Sequence, residues 1–176
     1  MQDGTGIIEN IISMMPSAMA LLNVVISVMA VFFFIYGMVK FAGLAKRDGT
    51  IRPGTPWLLL LAGVMLWNFT SAADSALETI FGSGTSTDTL LSYTAGDSIP
   101  EETSRMLGML IMCIRLYGYY AFARGWFKVT KIGAGTAASE GAFGSASMHI
   151  LGGALAINIV ATVNGVTSAL GFGDVL

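Results

Sequence analysis

Among the polar side chains in or beside the long apolar blocks of this sequence, any chemistry would have to start from Asn68, Arg115, His149 and Asn158. Arg115 falls near the middle of the block Met106–Phe122. An arginine at the centre of a membrane helix costs about 2.5–3.5 kcal/mol on insertion scales, so it must face protein, water or a lipid headgroup. It reads either as a lipid or transport-path contact or as a structural pair with Asp74, Glu78 or a carbonyl. Asn68 and Asn158 read as buried amides that bond between helices, worth roughly 0.6–2 kcal/mol each, with a substrate contact as the other reading. His149 is the only histidine and Cys113 the only cysteine. A zinc site is therefore not expected, and Cys113 reads as a small buried packing residue. No GxxxxGK[ST], GxSxG or HExxH motif occurs, so no enzyme is expected.

These residues need elements to hold them. Hydrophobic residues make up 54% of the 176 and charged residues 11%, against about 25% charged in a typical soluble domain. A soluble surface needs those missing charges. The apolar residues come in blocks near the length of about 20 that a spanning helix requires. The expected fold is all-α: four transmembrane-type helices in two tandem hairpins, preceded by a short amphipathic helix. Residues 1–16 carry Ile7, Ile8, Ile11, Ile12 and Met15 at helical spacing, and Pro16 is expected to end that helix. Residues 17–84 form the first hairpin, with helices over Ala18–Val39 and from Pro56 through Phe81. Residues 85–103 read as an exposed polar loop, with Glu101 and Glu102 suited to the start of a helix. Residues 104–176 form the second hairpin, with helices over Met106–Phe122 and Ile150–Leu170. The Gly-, Ala- and Ser-rich connection before Ile150 is either a flexible loop or a close helix contact.

Charge gives an orientation. Lys40, Lys46, Arg47, Arg52, Arg124, Lys128 and Lys131 flank the first and third connections, while most acids lie in the N-terminus, central loop and C-terminus. The positive-inside rule places loops 47–55 and 124–147 in the cytoplasm and both termini outside. Residues 1–10 hold Asp3 and Glu9 and no cation, unlike a secretory signal. Either the chain is already processed or its acidic end crosses unaided. The seven cations serve as topology signals and also suit anionic headgroups, at about 1 kcal/mol each near a membrane surface.

The halves repeat. Tyr36-Gly37 ends the first helix and Tyr117-Gly118 the third, and a Gly-x4-Asn pattern recurs as Gly63…Asn68 and Gly153…Asn158. Both copies have one orientation, unlike the inverted repeats of many transporters.

In length, layout and the stretch His149-Ile-Leu-Gly-Gly-Ala-Leu-Ala-Ile-Asn158, the chain resembles the TraQ and IcmC (DotE) family of small inner-membrane proteins of conjugative type IVB secretion systems. Each half also resembles a type IV secretion pilin, with two hydrophobic helices joined by a basic loop. The resemblance implies a bacterial inner-membrane precursor that assembles with itself, and with other secretion components, into a helical tube used in DNA transfer. It implies lumen- or headgroup-facing Lys46, Arg47, Arg52, Lys128 and Lys131. Phospholipid would be a structural ligand, with no other cofactor and no sequence-specific contact to nucleic acid. Alternatives are a fixed inner-membrane channel or scaffold component and a small transporter built on Arg115, Asn68, Asn158 and His149. The topology has a direct test. Cysteines at positions Thr50 and Ser139 should be protected from an impermeant thiol reagent in intact spheroplasts, while cysteines at Ser86 and Asp174 react; the reverse pattern inverts the orientation.

Overall fold

A computed structural model of the chain describes residues 4–46, 49, 51–82, 100–132 and 141–173. They form six helices: α1 (Gly4–Ala45), α2 (Gly54–Trp67), α3 (Phe69–Phe81), α4 (Glu101–Ile132), α5 (Ala142–Ile157) and α6 (Ile159–Ala169). No strand occurs among the described residues. α1 and α4 are each long and apolar enough to cross a membrane; α2–α3 and α5–α6 qualify only as bent pairs. The expectation of four spanning helices is met in part: two long helices qualify by themselves, and two further spans arise only where each bent pair counts as one. α2 has 14 residues and α5 has 16, which at about 1.5 Å per residue gives roughly 21 and 24 Å, short of a hydrocarbon core of about 30 Å.

Helix ends differ from the sequence expectation in three places. α1 runs unbroken through Pro16, so residues 1–16 are not a separate helix. A proline removes one backbone hydrogen bond and crowds the preceding turn, at a cost of about 3 kcal/mol. Here good helix formers on both sides carry the helix across, and Ser13 Oγ donates to the Asn10 carbonyl, 2.9 Å away, in the turn before the proline. α4 continues ten residues past Phe122, so Arg124, Lys128 and Lys131 lie on helix turns and not in a loop. Their spacing puts them on one helix face. α5 begins at Ala142, so the described end of the small-residue connection is helix in close contact. α4 starts at Glu101 with Glu102 in its first turn, where carboxylates favour the helix dipole.

Two antiparallel hairpins, α1–α2 and α4–α5, carry most of the packing. Each is held by a glycine lying on backbone. A Cβ on Gly63 would sit 3.1 Å from the Phe34 nitrogen and 3.2 Å from the Ala30 oxygen. A Cβ on Gly153 would sit 2.5 Å from the Phe122 nitrogen and 2.9 Å from the Gly118 oxygen. The same atoms meet in both hairpins, which fixes the correspondence: Gly63 with Gly153, Phe34 with Phe122, Ala30 with Gly118. Gly37, packed on Leu59 and Leu60, then matches Gly125, packed on Ala146 and Ile150. The Tyr-Gly pairing drawn from the sequence is therefore seven residues out of register on the first helix of each half. Seven residues are nearly two helical turns, so both registers present similar apolar faces.

The hairpins lie side by side in the same direction. Near one end Arg105 Nη1 pairs with Glu9 Oε1 at 3.0 Å, and further along the rings of Phe33 and Phe127 are 5.5 Å apart. α1 and α4 are thus parallel, and the basic ends of both hairpins share one end of the bundle. Between the hairpins lies a core of Ile26, Ala30, Leu66, Phe69, Ala73, Leu77, Tyr119, Phe122, Ala123, Ala154 and Ile157. α3 enters it through Phe69, Ala73 and Leu77, one stripe at four-residue spacing.

Glycine contacts of this kind are specific to position. Gly153→Ala should lower the melting temperature of the detergent-solubilised protein, at a cost of about 1–3 kcal/mol for overpacking. Gly152→Ala has open space at its Cβ and should be neutral or stabilising by up to about 1 kcal/mol through helix propensity. Equal effects of the two would refute the backbone contact.

Candidate functional site

Both asparagines mark bends. Asn68 (φ −97°, ψ 47°) separates α2 from α3, and Asn158 (φ −107°, ψ 57°) separates α5 from α6. Each break turns the chain by 92°. Around each, the asparagine N–H still donates to the residue four before it, Val64 (3.1 Å) or Ala154 (3.2 Å). Its carbonyl accepts from the residue four after, Ala72 (2.8 Å) or Thr162 (3.0 Å). One residue thus redirects the helix while the backbone bonding continues on either side. Carbonyls freed at such a break need donors. In the second hairpin Thr162 Oγ1 supplies one, its single proton within reach of both the Leu155 and the Asn158 carbonyl, each 2.9 Å away. The first hairpin has Ala72 at the corresponding position, which has no hydroxyl to offer.

The two bends differ in cover. Asn158 is 3% exposed, beneath the first hairpin. Asn68 is exposed, a correction to its reading as a buried amide. It lines an apolar groove of about 420 Å³ with Val31, Phe34, Val64 and Trp67. Cys113 is also exposed rather than buried, because it points away from both hairpin contacts of α4. In a chain that packs so few layers, a helix face that meets no neighbour is uncovered whatever its composition.

Arg115 is 3% exposed, one turn before the glycine of α4 that packs against Ile157. It is therefore level with the α5–α6 bend. Its Nε and Nη1 are enclosed with no hydrogen bond of their own, while the residue as a whole is engaged in the fold. Of the acids expected near it, Asp74 is half-buried on α3 and likewise engaged, and Glu78 is exposed.

At the basic end, Lys128 Nζ donates to Ser145 Oγ at 2.6 Å and lies 3.2 Å from His149 Nε2. His149 Nδ1 is 2.7 Å from the Ser145 carbonyl. That contact assigns the proton to Nδ1; Lys128 Nζ, 3.4 Å from Nδ1 and 3.2 Å from Nε2, is nearly equidistant from the two ring nitrogens and lies off the Nε2 lone pair. Lys128 is thus a clasp between α4 and α5. His149 enters this clasp and not a metal site; among the described residues no three His, Cys, Asp or Glu side chains are grouped to hold a metal. The sequence signal was present in the four-residue spacing of Ser145 and His149, but it needed Lys128 from another helix to have meaning. Lys46, Arg52 and Lys131 are exposed, and Arg47 lies outside the described residues. Lys40 Nζ sits 5.3 Å from the centre of the Tyr36 ring, a cation–π contact. Phe41 and Trp57 meet edge to face at 5.3 Å close by.

Comparison with protein families, with curated proteins and with solved structures finds no match to this chain.

The burial of Arg115 predicts an asymmetry between arginines. Arg115→Leu should lower the abundance of folded protein in membranes several-fold, as a loss of about 1–2 kcal/mol does. Arg105→Leu removes two exposed ion pairs, with Glu9 and Glu101, each worth about 0–1 kcal/mol, and should leave abundance nearly unchanged by immunoblot. Equal, mild effects would mean that Arg115 has no specific place in the fold.

Proposed function

We propose that this protein is a pilin-like structural subunit of a conjugative type IV secretion apparatus, assembling with itself and with phospholipid into a helical tube used in DNA transfer. One observation carries the reading: only 11% of the apolar window of α1 is buried within the chain. Val24, Val28, Phe32, Ile35 and Val39 all lie open along it. A continuous apolar helix face of that extent is covered by lipid before assembly and by neighbouring copies after it. In this reading the subunit carries out no chemical step, and its polar residues shape the fold.

The parallel hairpins and their shared basic end support the lipid part. Lys46, Arg52 and Lys131 are exposed there, and an apolar groove of about 500 Å³ lined by Phe34, Met38, Phe41, Trp57 and Leu60 lies on the first hairpin. A phosphate held by the cations with an acyl tail in the groove neutralises a surface that would otherwise repel its copies. Before assembly the chain resides in the inner membrane with both termini outside and the basic ends of its hairpins in the cytoplasm; in the tube those ends face the lumen.

The test is electron microscopy of sheared extracellular material, with mass spectrometry of its protein and lipid beside detergent-solubilised monomer. Filaments built from this chain and retaining anionic phospholipid are expected. Filaments free of phospholipid would remove the lipid from the proposal. Protein confined to the membrane fraction would replace the tube with a fixed channel or scaffold component.

A further inference from the structure

The correspondence between the hairpins identifies a surface whose occupant can be read from the other half. On the second hairpin, Tyr119, Phe122, Ala154, Ile157 and Asn158 are all buried. The cover comes from the first hairpin: the Phe69 ring is 6.0 Å from that of Tyr119 and 5.8 Å from that of Phe122, with Leu66, Ala73 and Leu77 in the same cluster. The matching positions on the first hairpin are Val31, Phe34, Val64, Trp67 and Asn68, and these line the open groove of about 420 Å³. Phe34 is 43% exposed where Phe122 is 1%, and Trp67 is 61% exposed where Ile157 is 0%. Thus the same groove is built twice and filled once.

The filling element is also present twice. Phe69 and Ala73 of α3 correspond to Ile159 and Val163 of α6. Both are apolar, both are only half-buried, and no residue of α6 is buried. Among the described residues this groove is therefore left unfilled on the first hairpin, and its filler is left uncommitted on the second.

We propose that a second copy of the chain docks α6, led by Ile159 and Val163, into the groove formed by Val31, Phe34, Val64 and Trp67. The contact repeats between chains the fit that Phe69 makes with α4 within one chain. It joins unlike surfaces, so each copy can receive one neighbour and enter another, and the contact propagates as an open series or a ring rather than closing a two-fold pair. The proposal rests on the reading that the chain assembles with itself, and it names the surfaces that do so.

Cross-linking in membranes tests it, in protein carrying Cys113→Ser. Val31→Cys and Ile159→Cys, placed on separate chains expressed together, should be joined into dimers by a short bifunctional thiol reagent, with neither variant joined when expressed alone. The double variant should give a ladder of multimers, and Phe34→Cys with Ile159→Cys should do the same. Phe69→Cys with Tyr119→Cys, the equivalent pair within one chain, should link without any change in chain number and so reports the fold. Absence of inter-chain links while that internal pair still forms would overturn the proposal, as would Val31→Cys dimerising alone as readily as in the mixture. A ladder without filaments upholds the contact and removes the tube. Filaments that show no Val31–Ile159 or Phe34–Ile159 link uphold the tube and remove this contact.

Discussion

The close approach of helix backbones at Gly63 and Gly153 is the constraint from which the rest follows. Between apolar helices in lipid there is little hydrophobic drive to associate, so close packing supplies much of the attraction. A glycine against the partner's backbone gives the nearest approach available. It draws α2 onto α1 and α5 onto α4, and it fixes the register in which they meet. Five residues later each helix reaches an asparagine and bends through 92°. The bend therefore begins at a fixed height on the partner helix. For the first hairpin, that height is where Phe69 meets Tyr119 and Phe122 of the second.

The polar residues take their character from that geometry. Asn158 is buried beside Ile157, which sits in the core between the hairpins, and Arg115 is buried one turn from the glycine that packs on Ile157. Asn68, in the same local backbone as Asn158, stays open because none of the described residues covers it in turn. At the opposite end, Lys128, Ser145 and His149 link α4 to α5 through side chains, where the helices carry their own cations.

Much of this architecture was legible in the sequence. Long apolar blocks gave helices, the charge distribution put the basic ends together, and the Gly-x4-Asn pattern marked matching positions of the two halves. What was not legible depended on tertiary context. Pro16 is a strong local signal for a helix end, yet the helix formers around it outweigh one lost hydrogen bond. The second and fourth helices are continuous in composition, so nothing local announced that Asn68 and Asn158 would break them. The seven-residue slip in the repeat passed unseen because it preserves the apolar face. The burial of Asn158 but not Asn68 is invisible to any local reading, since it is decided by which hairpin lies on which. Two equal sequence patterns received unequal surroundings.

Carrying both hairpins on one chain also changes how contacts form. A tethered partner meets its site at an effective concentration of about millimolar for a short flexible linker, however dilute the protein is. The junction between the two hairpins of one chain is therefore made within a molecule and does not depend on encounter. Tethering also frees the halves to diverge. A single hairpin that copied itself would present every substitution at every junction, whereas here the clasp of Lys128 with His149 exists in one half only. At the matching positions the other half has Lys40, resting on Tyr36, and Leu59, packed in the helix contact. The proposed assembly is accordingly alternating, its smallest true period two hairpins long, with two kinds of junction that can differ in strength and be lost one at a time.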